Sequence, residues 1–369
     1  MKIALITIHR TANYGAVLQA YATKLVLSRY GEVSTIDYDN RHLAHHLDLI
    51  RFDVSLRGIM MLAHDILRFP YRINAVSKFR KFIRENMNLT LKLTSKELLE
   101  GKAGDFDAYV CGSDQIWNPE IVSSDTKIDP IYFLSFAPKC RKKISYASSI
   151  GHHHYSDDEK QEVRKLLDDF EMISTRENDG VKKLAEVFPG REIHHVLDPT
   201  LILSKEEWLE AFNFKSQKQK EKYILVYSVP RTELIIKAVD FFAKKLGFKV
   251  VAIDPMLFPL TNVDKHIRTA GPKEFIELYA NAEFVITDSF HGTCFAVNLG
   301  KPFVAVSPGS RANRIISLLT LLGINERLVT TESEFESISL ILDIESVSTK
   351  LGHARNKSKN ILAGYISKS

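Results

Sequence analysis

Short apolar runs alternate with segments of helical period along nearly the whole chain, and the alternation restarts once. The first round runs KIALITI (2–8), a helix from about Gly15 to Arg29, and VSTIDYD (33–39). It continues through DAYVCG (107–112), KKISYASSIG (142–151), a helix at 157–170, EMISTRE (171–177), a helix at 178–188 and IHHVLDP (193–199). The second runs YILVYSV (223–229), a helix at 232–246, FKVVAID (248–254), a helix at 272–280, EFVITDS (283–289), a helix from His291, PFVAV (302–306) and a helix at 312–322. Runs apolar on both faces are strands of a parallel sheet, and strands separated by helices call for crossover connections. Between the rounds, NFKSQKQKEK (213–222) holds one aromatic and no aliphatic residue, which suits a linker. A chain of 369 residues also exceeds what one core usually covers. The expectation is an α/β protein of two doubly wound units with a cleft between them. The units are 1–212, with a helical insert at 41–90, and 213–345. A closing helix over 346–369 is open to crossing back to the N-terminal domain.

The net charge of +5 is concentrated in the insert. Residues 41–90 carry Arg41, Arg51, Arg57, Arg68, Arg72, Lys78, Arg80, Lys81 and Arg84 against Asp48, Asp53, Asp65 and Glu85. Leu56, Ile59, Met60, Ala63, Ile66 and Leu67 recur there at helical spacing. The segment reads either as a helical excursion packed on the domain or as a basic amphipathic surface for anionic lipid or a lipid pyrophosphate. No nucleic-acid-binding motif accompanies the charge. Cys111, Cys140 and Cys294 lie in or beside apolar stretches without CxxC spacing, as expected of buried thiols in a reducing compartment. No secretory signal or membrane-length apolar run is visible, so the expected location is cytoplasmic, with peripheral contact at a membrane left open.

In doubly wound sheets, ligands sit beyond the carboxyl ends of the strands. TDSFHG (287–292) ends a strand in polar residues and opens a helix with Phe290, His291 and Gly292. A helix start attracts anions, and a histidine there can donate to one or pass it a proton. Arg176 follows the strand MIST and can grip a carboxylate or phosphate, or pair with Glu177 or Asp179. Arg311 and Arg314 lie in SPGSRANR, a loop entering a helix. GSDQIWNP (112–119) offers Ser113, Asp114 and Gln115 after a strand, and Trp117 suits either a sugar face or the core. NYGAVLQA (13–20) follows the first strand but lacks GxGxxG. Three consecutive histidines, His152, His153 and His154, cannot all face one metal from regular structure, and HExxH, a nucleophile elbow and a P-loop are absent.

Together, NYGAVLQAYA (13–22), VCGSDQIWNP (110–119), ISYASSIG (144–151), ISTRE (173–177), VLDPTLIL (196–203), TDSFHGTCFAVNLGKPF (287–303) and SRANRIISLL (310–319) resemble the polysaccharide pyruvyl transferase family. The resemblance implies two Rossmann-like domains facing across a cleft (a GT-B-like fold). It implies phosphoenolpyruvate as co-substrate and a cyclic pyruvate ketal on a sugar diol as product. The family's donor-binding histidine falls on His291 and its strand-end arginine on Arg176; an arginine that some members carry two residues before the histidine is Ser289 here. The donor side is thus expected at Arg176, Ser289, Phe290, His291, Gly292, Arg311 and Arg314, with His291 and Asp114 catalytic. The acceptor side is expected at Asn13, Tyr14, Gly15, Ser113, Asp114, Gln115, Trp117 and Ser148. No metal and no other cofactor is called for. The expected acceptor is a sugar on a polyprenyl pyrophosphate. A sugar-nucleotide-dependent glycosyltransferase, with Glu274 or Glu277 on the donor ribose, is the alternative, and the sequence leaves the oligomeric state open.

Overall fold

A computed structural model describes residues 1–50, 56–214 and 221–367, apart from the side chains of residues 56–59, 61, 63 and 64. Arg51, Asp53, most of the expected linker, and the side chains of Leu56, Arg57, Ile59 and Ala63 therefore lie outside the described residues.

The first unit comprises Met1–His46, Lys81–Ile202 and Gly352–Ser369. Its strands are β1 (Lys2–Ile6), β2 (Glu32–Tyr38), β3 (Leu89–Leu93), β4 (Ala108–Cys111) and β5 (Lys142–Ser145). They form one parallel sheet in the order β3-β2-β1-β4-β5. The short strands β6 (Ser174–Thr175) and β7 (His194–His195) pair in parallel, and bridges from Ile144 to Met172 and from Ser148 to Thr175 carry the sheet on to them. Central β1 and β4 are almost wholly buried, so their continuous apolar runs face helices on both sides.

The second unit comprises Leu47–Arg80 and Leu203–Leu351. Its strands are β8 (Tyr223–Tyr227), β9 (Lys249–Ile253), β10 (Lys265–Ile267), β11 (Phe284–Thr287), β12 (Phe303–Val306) and β13 (Leu328–Val329). All pairings are parallel, in the order β10-β9-β8-β11-β12-β13. Both sheets have the Rossmann-like order, with the winding reversing between β1 and β4 in one and between β8 and β11 in the other.

The insert is a helix, Leu56–Asn86, whose residues up to Arg80 group with the second unit rather than with the first, where the sequence suggested it. The reason is internal polar bonding. Arg68 donates to the Pro255 carbonyl, and Lys78 pairs with Glu274. Arg72 donates through Nε to the Asp48 carbonyl at 2.9 Å. Arg68 and Arg72 thus serve the fold instead of forming a basic surface. The closing helix, Ile344–Ile366, returns to the first unit from Gly352 on. There Arg355 Nε donates to the Leu201 carbonyl at 2.6 Å, and Ser358 accepts from the Leu197 amide at 3.0 Å. Of the thiols, Cys111 and Cys294 are buried, but Cys140 is exposed in the turn before β5.

Candidate functional site

In the first unit, the loops after β1 and β4 meet at the reversal of winding. Thr7 Oγ1 donates to the Ser113 carbonyl at 3.1 Å and accepts from Gln19 Nε2 at 3.0 Å. Asn13 caps the helix Tyr14–Leu27 by accepting from the Ala16 amide; Tyr14 and Gly15 are buried in its first turn. Beyond β4, Gly112 stands at φ +114°, and a Cβ there would lie 2.1 Å from the Tyr146 carbonyl oxygen, so only glycine fits. Ser113 Oγ donates to the Ala147 carbonyl at 2.9 Å, and Asp114 bridges Ser148.

Arg176 lies at the centre of this cluster, its side chain fully buried. Nη2 reaches Asp114 Oδ1 at 2.7 Å and Nη1 reaches Asp198 Oδ2 at 2.7 Å, while Nε lies 3.9 Å from Glu177 Oε2. Burial opposes the charge, but the carboxylates of Asp114, Asp198 and Glu177 outweigh it and push the pKa further up. The expected donor clamp is therefore a permanent cation neutralised by the protein, which positions Asp114. Trp117 is likewise reassigned. It is 1% exposed, stacks on Phe133 at 5.3 Å, and donates to the Tyr132 carbonyl, so it packs the core and has no face for a sugar. Gln115, partly exposed, accepts from Asn118.

Sequence reasoning missed a second polar cluster in this unit. His9, 2% exposed, pairs with Asp37 at 3.2 Å, and Arg10 grips both oxygens of Asp37 at 2.6 and 2.8 Å. The available signal was polar residues immediately beyond apolar strand runs. The sequence holds two Asp-x-Asp pairs, Asp37 with Asp39 and Asp105 with Asp107, and partners take up all four: Asp37 as above, Asp39 by Lys92, Asp105 by Arg141, and Asp107 by the Lys2 amide. His152 and His153 both pair with Glu120, and among the described residues no group of three or more His, Cys, Asp or Glu side chains is placed to hold a metal ion.

In the second unit, the reversal of winding falls between β8 and β11, where TDSFHG lies. Asp288, 2% exposed, stitches the two loops: it accepts from Ser228 Oγ at 2.6 Å and from the Val229 amide at 2.8 Å. Burial raises its pKa above the usual carboxylate range. Ser289 caps the helix Phe290–Asn298 by accepting from the Gly292 amide at 3.3 Å, so that amide is spent on the cap and not on a donor. Gly292 is required by close approach, since a Cβ would lie 2.2 Å from Thr287 Oγ1. His291, 8% exposed, is the second residue of this helix and sits against the Phe290 ring at 5.2 Å. The Arg314 guanidinium lies over the same ring at 5.4 Å. Phe290, His291 and Arg314 are thus brought together. Arg311 is exposed on the short turn Gly309–Arg311, and its side chain makes no hydrogen bond or ion pair among the described residues.

The sequence model of polysaccharide pyruvyl transferases matches residues 13–310. The chain belongs to the polysaccharide pyruvyl transferase family. The matched span takes in Asp114, Arg176 and Asp198 of the first unit and Asp288 to Gly292 of the second, and stops before Arg311 and Arg314. No curated protein sequence matches this family member. Among solved structures, it is similar to a UDP-GlcNAc 2-epimerase from Neisseria meningitidis bound to UDP-GlcNAc, at 15% identity and TM-score 0.50 over 100% of both chains. A putative UDP-N-acetylglucosamine 2-epimerase from Listeria monocytogenes matches at 11% identity and TM-score 0.52, over 98% of this chain and 95% of that one. The UDP-GlcNAc 2-epimerase of Methanocaldococcus jannaschii matches at 14% and 0.50, over 100% and 99%. At these identities the likeness shows the fold alone, two Rossmann-like units of the GT-B kind. No described helix is long and apolar enough to cross a membrane.

Proposed function

We propose that this transferase moves pyruvyl from phosphoenolpyruvate to a sugar diol of a polysaccharide precursor, forming a cyclic ketal and releasing phosphate. The observation that carries the reading is His291 at the start of a capped helix beyond β11, at the reversal of the second sheet, within a chain of this family. Ketal formation begins with a proton added to the donor's methylene carbon, which becomes the methyl group. The neighbouring carbon turns cationic, one sugar hydroxyl adds to it and loses its proton, phosphate leaves, and the second hydroxyl closes the ring. The reaction needs an acid, an acceptor for the hydroxyl protons and a positively polarised seat for the anion. His291 fills the first role or holds the phosphate, with the helix start and Arg314 beside it. Asp114, oriented by Arg176, holds or deprotonates the acceptor hydroxyl, while Ser113, wholly buried and bonded to the Ala147 carbonyl, supports its loop.

The acceptor is a sugar on a polyprenyl pyrophosphate. Contact with a membrane surface would then fall to the exposed Met60, Ile66 and Leu67 of the insert helix, since Arg68 and Arg72 are turned to internal carbonyls.

The test is phosphate release from phosphoenolpyruvate against lipid-linked galactosides, glucosides and mannosamine derivatives, with a thermal-shift comparison against sugar nucleotides. His291→Ala should abolish turnover and leave the melting temperature nearly unchanged. Most of the activity surviving in that variant would remove His291 from the chemistry.

A further inference from the structure

Beside the His291 loop, the ends of three other strands of the second unit, β8, β9 and β10, carry charges that the reaction above does not use. Beyond β8, the Arg231 amide donates to Ser228 Oγ at 3.1 Å, and the same hydroxyl donates to Asp288, so Arg231 is one link from TDSFHG. Its Nη1 pairs with Asp254, the residue just beyond β9, at 2.6 Å. Arg268 stands just beyond β10, with its guanidinium carbon 3.7 Å from the centroid of the Tyr71 ring. His266 bonds the Asp254 carbonyl at 3.0 Å. Burial, partly offset by Asp254, holds its pKa below the ordinary value, with the charges of Arg268 and Arg231 contributing. These groups therefore share one neighbourhood, with two guanidinium groups against one carboxylate.

Arg268 is the distinctive member. Its Nε and Nη2 are buried, and no acceptor among the described residues bonds them. These two nitrogens form the side-on edge of a guanidinium, whose paired N–H groups match two oxygens of a phosphate. Stacking on Tyr71 fixes the plane of that edge without occupying it. One turn before Tyr71 on the same helix, Leu67 is 64% exposed and Ile66 is 57% exposed, so apolar surface continues from the cation.

The geometry points to a phosphoryl subsite at Arg268 and Arg231 that takes the diphosphate of a lipid-linked acceptor, with the lipid over the exposed face of the insert helix. This assignment rests on the pyruvyl-transfer reading and gives its acceptor an anchor separate from His291.

The test is calorimetric titration of the intact chain with inorganic pyrophosphate, farnesyl diphosphate, UDP and phosphoenolpyruvate. Arg268→Met should weaken farnesyl diphosphate about tenfold or more, the loss of a charge-assisted fork. It should change the melting temperature little without ligand, because losing the stack on Tyr71 is offset by removing buried donors that lack acceptors. Arg268→Lys keeps the charge without the fork and should fall between. His291→Ala should lose phosphoenolpyruvate and keep farnesyl diphosphate. Farnesyl diphosphate affinity equal to wild type in folded Arg268→Met would overturn the subsite, and UDP binding more tightly than farnesyl diphosphate would overturn its assignment to a lipid carrier. If the wild type binds farnesyl diphosphate but never phosphoenolpyruvate, the pyruvyl-transfer reading fails while the diphosphate site stands.

Discussion

Replacing Arg176 by Met separates two roles that sequence alone leaves entangled. The guanidinium is fully buried, and both of its terminal nitrogens lie 2.7 Å from a carboxylate oxygen, of Asp114 and of Asp198. Glu177, also buried, is the third acidic neighbour. Methionine fills similar volume but leaves these carboxylates facing one another with no cation. Breaking one buried pair by removing a partner typically costs about 3–5 kcal/mol, because an uncompensated charge stays behind. Two pairs are lost here, but the carboxylates share a site and relax together, so the costs do not add. For a unit of this size each kcal/mol lowers the melting temperature by about 2–4 °C, giving a fall of about 6–20 °C. Thermal melts followed by circular dichroism measure it directly.

The pH dependence supplies a second signature. Without the cation, the clustered carboxylates bind protons more readily in the folded state, so acidification favours folding relative to the wild type. The deficit of Arg176→Met should therefore be largest near neutral pH and shrink as the pH falls toward the carboxylate range. Adding Asp198→Asn should restore part of the loss at neutral pH. A melting temperature within about 2 °C of wild type, combined with loss of phosphoenolpyruvate affinity, would refute this reasoning and return Arg176 to the role of a donor clamp.

Three further outcomes follow from the same geometry. Trp117→Ala should cost about 3–5 kcal/mol by urea melt, as for a large core aromatic, and should leave the acceptor KM of the folded fraction unchanged. Gly292→Ala should cost about 1–3 kcal/mol by overpacking against Thr287, and Thr287→Ala in the same chain should recover most of that loss in a thermal melt. Burial works against the charge of Asp37, but the hydrogen bonds and charges of His9 and Arg10 outweigh it and hold its pKa below the usual value. Asp37 accordingly stabilises the fold above the ordinary carboxylate pKa of about 4 and loses that contribution as the pH falls through its lower folded value. The gap in stability between wild type and Asp37→Asn, followed by urea melts from pH 7 to 3, should stay open to about pH 4 and then close.

The fold was legible because buried parallel strands announce themselves as unbroken apolar runs, and the restart at Tyr223 marks a second sheet. The site was legible in position but not in pairing. Asp114, Arg176 and Asp198 belong to separate loops, and only the sheet order brings the ends of β4, β6 and β7 together. The charge count of the insert gave the sign of the segment but not the direction of its arginines, because Arg68 and Arg72 turn inward to carbonyl groups that no periodicity reveals. The same rule, a polar residue directly after an apolar strand, also picks out Asp254 and Asp288, and Asp37 lies one residue before the end of β2, but their roles depend on what faces them. In the first unit, Asp37 meets Arg10, and Asp114 and Asp198 meet Arg176, so the strand-end charges are satisfied within the protein. In the second, Asp288 meets a hydroxyl and an amide, while Arg268, just beyond β10, keeps two buried nitrogens that no acceptor among the described residues bonds. On the proposed reading, an anionic ligand gains more from the second unit, where cationic hydrogen-bonding capacity is unspent among the described residues, and the first would orient a neutral hydroxyl.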